Sequence, residues 1–240
     1  MTDIPPSLAA ATEQAMQATQ AAIAAGQTRL QVEMVIPELK QQPIARQFLT
    51  VFQSIGLRVK VYFPDAGAAA LAKRDWNNPD FDIRGINERV GQVTADDEAI
   101  LIVSPSSVEV ADVEKACQAA LDRPVVLLNP QLENVATIGI GYAGRQLRDR
   151  FLSTLETSYY FRPLENAAVL RCYPQPWQIW REVEADRYEL VTTLDQRPNS
   201  EQLDRILYGE DKADAATERS TSRQRGLLGE LQQFLRALSQ

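Results

Sequence analysis

The stretch EAILIVSPSSVEVADVEKACQAALDRPVVLLNPQL, residues 98 to 132, decides the fold. Its first part, EAILIVSPS (98–106), and its last, PVVLLNPQL (124–132), carry continuous apolar runs of the kind found in strands buried on both faces. Between them SVEVADVEKACQAALDR (107–123) has helical spacing, with Ser107 as its expected cap. Strand, helix and second buried strand in succession make a parallel β-α-β unit, and the rest of the chain is read outward from it.

Upstream, PPSLAAATEQAMQATQAAIAAG predicts an alanine-rich helix capped by Ser7 and stopped by Gly26, with Leu8, Ala11, Ala15, Ala18 and Ala22 on one face. RLQVEMVIP (29–37) alternates as a strand, and IARQFLTVFQSIG (44–56) places Phe48, Leu49, Phe52 and Ile55 on one helical face ending at Gly56. LRVKVYFPD and AGAAALAKRDW repeat the strand and helix, and FDIRGIN is a short further strand. The alternation predicts an α/β three-layer sandwich with a mainly parallel sheet covered on both faces.

Downstream of residue 160 the rhythm changes. AAVLRCYPQPWQIWREVEADRYELVTTLDQRP holds three strand-like runs with no room for crossover helices, which predicts an antiparallel meander over 167–195 at one edge of the sheet. SEQLDRILYG closes as a helix, so residues 1–208 are expected to form a single α/β domain. Residues 209–223 are charged and small, as in a flexible linker. Residues 224–240 predict a C-terminal amphipathic helix with Leu227, Leu228, Leu231, Phe234, Leu235 and Leu238 on one face. That face and Trp177 are the expected partner-binding residues. With Arg223, Arg225 and Arg236 against Glu230, the polar side is only weakly basic, so a partner groove or a homodimer is preferred to the membrane surface.

Composition excludes several classes of chemistry. At 45% apolar content the chain can bury a full core, and no run approaches the roughly 18 apolar residues of a spanning helix. The N-terminus lacks a basic segment followed by an apolar one, so the chain is expected to stay in the cytoplasm where it is made, at most peripheral on a membrane. Its net charge of −7 disfavours nucleic acid as a partner. Cys117 and Cys172 are far apart and predict buried core residues, without a zinc site or disulfide. The chain contains 0 histidines, which removes Ser-His-Asp and Cys-His catalysis and His-ligated metal. No cofactor and no metal are expected.

One motif tests that expectation. IGIGYAGR (138–145) spaces Gly139, Gly141 and Gly144 as in a dinucleotide-binding turn. The acid required at the end of the next strand is missing, because AAVLRCYP ends at Tyr173-Pro174. The glycines are therefore read as a tight strand-to-helix turn. Anion binding is the alternative, since Arg145, Arg148 and Arg150 follow within two turns, where they can also form ion pairs with Asp149 or Glu156.

Strand ends supply the other candidates. Asp65 precedes a helix and can bind a ribose, metal or amine, or cap that helix. Ser104, Ser106 and Ser107 end a central strand, where hydroxyls can hold phosphate or cap the following helix; Asn129 ends another. If Asp65, Ser104, Ser106, Asn129 and the glycine turn share the carboxyl edge of the sheet, they converge on one pocket. Of Tyr173, Trp177 and Trp180, only one is expected to be exposed.

GIGYAGRQLRDRFLSTLETSYYFRPL, AVLRCYPQPWQIW and the opening PPSLAAATEQAMQATQAAIAAGQTRLQVEMVIPEL together resemble a domain of unknown function shared by cyanobacteria and plastids. That family includes the plant low-photosystem-II-accumulation assembly proteins and the C-terminal domain of a chloroplast adenylate kinase. The resemblance covers about residues 5 to 208. It implies an oxygenic phototroph and a place near thylakoid complexes; with no transit peptide before Pro5, a cyanobacterial chain is expected rather than a plastid precursor. It carries over no catalytic residues. The reading is a non-catalytic accessory factor with a protein partner; the rival is an enzyme binding a nucleotide or phosphorylated metabolite through Asp65 with Arg145 or Arg148.

Overall fold

The computed structural model describes residues 3–133, 142–185 and 187–209. Its elements run α1 (Leu8–Ala24), β1 (Arg29–Met34), α2 (Gln41–Ser54), β2 (Val59–Phe63), α3 (Ala66–Asp75), β3 (Ile83–Gly85), β4 (Ala99–Val103), α4 (Val110–Ala119), β5 (Val125–Leu128) and α5 (Tyr142–Arg150), followed by β6 (Glu156–Leu164), β7 (Ala167–Cys172), β8 (Trp177–Glu184), β9 (Arg187–Leu194) and α6 (Ser200–Tyr208). The sheet has nine strands in the order β3-β2-β4-β5-β1-β6-β7-β8-β9. The fold is therefore the expected α/β class, with parallel pairing from β3 through β1 and an antiparallel meander at one end.

Two compact units share the chain, each drawn from separate segments: Met16–Glu33 with Leu39–Ser158, and Met1–Ala15 with Met34–Glu38 and Tyr159–Gln240. In the first, β4 and β5 are buried at every position, because helices cover both faces. Alternation assigns the faces. Ile100, Ile102, Val125 and Leu127 pack with Val113, Ala116 and Cys117 of α4, while Leu101, Val103, Val126 and Leu128 point the other way. α2 lies against β4, and its buried residues include Ile44, Phe48, Leu49 and Phe52. Gly56, at φ +71°, ends that helix region as expected, but Ile55 is 42% exposed instead of completing the buried face.

In the second unit, Tyr160, Val169, Trp177 and Ile179 of the meander pack with Leu203 of α6. α6 starts from a reciprocal capping box: Asn199 accepts from the Gln202 N–H at 2.8 Å, and Gln202 accepts from the Asn199 N–H at 3.1 Å. Arg181 donates to the carbonyl of Leu207 at 2.8 Å, satisfying a carbonyl of the last turn.

Two local expectations are corrected. The helix after the glycine motif, expected over GRQLRDRFLSTLET (144–157), stops at Arg150; a 3-10 turn, Leu152–Thr154, leads into β6, whose first two residues fall in that stretch and whose remainder carried no expectation. β6 is buried on both faces from Thr157 to Phe161, so it shows no alternation. Ser107 does not cap α4, which starts at Val110 with Glu109 in the cap position and no side-chain cap bond. Glu109 instead turns back and accepts from the Ser106 N–H at 2.8 Å and the Ser106 hydroxyl at 2.6 Å, which fixes the loop one turn earlier.

Candidate functional site

In parallel β-α units the loops at the carboxyl ends of the strands are free to carry ligand groups. Here those loops hold most of the residues singled out above, and their local chemistry can be followed one by one.

Asp65 ends β2 and is the N-cap of α3: its Oδ1 accepts from the Ala68 N–H at 2.8 Å. The space beside it is filled by Gly85, where a Cβ would lie 2.5 Å from the Ala66 nitrogen. The glycine that permits a close backbone approach is thus at the end of β3, and nothing in FDIRGIN marked it apart from its position after a strand.

Ser104 and Asn129 end β4 and β5 in matching fashion. Both have φ of +48°, the Ser104 N–H donates to Leu128 at 2.7 Å, and the Asn129 N–H donates to Val32 at 2.7 Å. A bridge between Ser106 and Gln131 continues the ladder beyond them. These three site residues are therefore brought together. Asn129 is 8% exposed and its amide donates to Gln41 at the start of α2. Ser106 is occupied by Glu109 as described. The Ser104 hydroxyl is buried and has no hydrogen-bond partner among the described residues.

Gly139 and Gly141 lie outside the described residues. Gly144 lies within α5, and a Cβ there would meet nothing within 4 Å. A dinucleotide turn uses its last glycine for close helix-to-strand packing; among the described residues Gly144 has no such neighbour. Arg145 is exposed on the same helix. Arg148 pairs with Glu133 at 2.9 Å, and Arg150 forms a two-pronged pair with Glu114 at 2.8 Å. The partners are thus Glu133 and Glu114 instead of the expected Asp149 and Glu156.

At the opposite edge, a cleft of about 310 Å³ is lined by Thr28, Arg29, Glu114, Cys117, Gln118 and Arg150, among others. Arg29 is committed there to backbone carbonyls, including those of Thr28 at 2.9 Å and Arg123 at 3.0 Å. Burial pushes the Cys117 thiol up to about 11, against the nearby Arg29 charge, so it is protonated at neutral pH and not a thiolate nucleophile. Cys172 is buried as well, and neither cysteine is in a disulfide.

Sequence reading passed over Lys60. It sits mid-strand in β2 at 4% exposure, and its ammonium donates to the Gln92 carbonyl at 2.9 Å and contacts Asp97 at 3.3 Å and Asp82 at 3.4 Å. The usable signal was a lysine inside an otherwise apolar strand, since buried lysines need partners. With all three protons directed at oxygens, it is a structural cation and not a free amine nucleophile.

Trp177 was expected on a partner surface. It is 3% exposed, its ring tilted at 56° to that of Tyr160 with centroids 5.0 Å apart, and the guanidinium of Arg171 lies 5.7 Å from its centroid. Its indole fills the space beneath α6, which removes it from the surface. Trp180 is also buried, leaving Tyr173 as the part-exposed member of that trio. Leu227, Leu228, Leu231, Phe234, Leu235 and Leu238 lie outside the described residues. Among the described residues, no helix is long and apolar enough to cross a membrane.

Residues 5–205 match the family described as a domain of unknown function, DUF1995, and the chain belongs to that family. The match spans both units and every described strand, and it ends within α6.

Proposed function

We propose that this protein is a non-catalytic accessory or assembly factor of the photosynthetic apparatus in a cyanobacterium, acting through protein contacts. The observation that carries the reading is the employment of the strand-end side chains. Asp65 serves the α3 backbone, Ser106 serves Glu109, Asn129 serves Gln41 and Arg148 serves Glu133. A phosphate or ribose would have to break these bonds before making its own. The resemblance of the opening and central segments to the low-photosystem-II-accumulation proteins and the adenylate kinase C-terminal domain supports the same direction. On this reading the protein is cytoplasmic and peripheral on the thylakoid, and residues 224–240 attach it to a protein partner.

Affinity capture from cyanobacterial membranes, with the captured proteins identified, tests the reading. The full chain should enrich photosystem assembly intermediates, and a chain ending at residue 223 should lose them. Capture of soluble metabolic enzymes alone overturns it.

A second reading, an anion- or nucleotide-binding enzyme, is favoured by the unbonded Ser104 hydroxyl and the exposed Arg145. Thermal shift with nucleotides and sugar phosphates separates the two. Stabilisation of several degrees that disappears in Arg145→Ala would favour the enzyme.

A further inference from the structure

Four of the connections between successive strands from β1 to β6 contain a helix, and the one from β3 to β4, residues 86–98, contains none. It nevertheless covers sheet. Lys60 and Tyr62 point to the same face of β2, Tyr62 belongs to the α4-side core, and Ile86 and Val93 of the connection pack against that core. A strap stands where a crossover helix normally lies.

Its attachments are mostly polar. The Lys60 ammonium holds Gln92 and Asp97 of the strap and Asp82 before β3. The Tyr62 hydroxyl donates to the Gly91 carbonyl at 2.7 Å, and Arg123 beyond α4 donates to the carbonyls of Thr94 and Asp97. Asp97 also accepts from the N–H and hydroxyl of Thr94, at 2.7 and 3.1 Å, and Arg84 ties Asp82 to Glu88. Apolar anchoring is confined to Ile86 and Val93, while Val90 is 72% exposed.

We infer that residues 86–98 form a strap that opens as a unit while the sheet stays folded, with the Lys60 ammonium as its latch. Regions with little apolar burial open at lower free energy than the core, and here the sheet beneath keeps α4 and its own parallel ladders when the strap leaves. Opening uncovers the Tyr62 face of β2, a part of the sheet interior then reached without unfolding a helix.

Hydrogen exchange of the whole chain tests this. In the wild type, amides of 86–98 should exchange through an opening that depends weakly on denaturant, while those of β4 and β5 follow the steep dependence of global unfolding. Lys60→Met should speed strap exchange by at least about tenfold and leave the weak denaturant dependence of the strap amides in place. Tyr62→Phe, which removes the Gly91 bond alone, should act in the same direction and less strongly. Strap and β4 amides sharing one denaturant dependence in the wild type would overturn the inference. So would a strap unaffected by Lys60→Met.

Discussion

The backbone of Gly85 at the end of β3 lies so close to the backbone of Ala66 at the start of α3 that a methyl group on Gly85 would sit 2.5 Å from the Ala66 nitrogen. Because the obstructing atom is backbone, it cannot swing away. Gly85→Ala should therefore cost about 1–3 kcal/mol, the usual penalty for overpacking a well-filled site. Chemical denaturation checks it, and an unchanged midpoint would show that the β2-α3 turn yields.

Gly144 gives the opposite expectation. Its Cβ position is open and the residue is helical. Gly144→Ala should stabilise the protein by about 0.5–1 kcal/mol through helix propensity. Loss of stability instead would point to a close neighbour at that helix and revive a packed glycine turn.

Asp65→Ala removes the N-cap acceptor for Ala68 and should cost about 0.5–2 kcal/mol, with most of the loss recovered in Asp65→Ser. Equilibrium unfolding of the two variants makes the comparison. If serine fails to restore stability, the carboxylate does something besides capping.

The Cys117 thiol supplies a pH dependence. Burial raises it from 9.0 to about 11, so between those values the folded state keeps a proton that the unfolded state has released. Its contribution is present below pH 9 and lost as pH rises to about 11, amounting to at most about 3 kcal/mol. Denaturation midpoints across that range should fall less steeply in Cys117→Ala than in the wild type. Tyr62 and Tyr159, also raised by burial, remain in both proteins and drop out of the difference.

The sequence by itself determined most element types and their order, because those rest on a local period: buried runs at β4 and β5, helical spacing in α2 and α4, short turns in the meander. It also determined what chemistry is absent, since 0 histidines is a property of composition. Only the tertiary structure decided the rest. β6 shows no strand alternation in sequence because both its faces are buried, and Trp177 reads as a surface aromatic until Tyr160 and Leu203 close over it. Nothing local to Lys60 fixes it as a buried cation until Asp82 and Asp97, distant in sequence, are brought to its ammonium. Periodicity reports which residues share a face of one element; which face is covered, and by what, depends on contacts between residues far apart in the chain, and no local pattern encodes those.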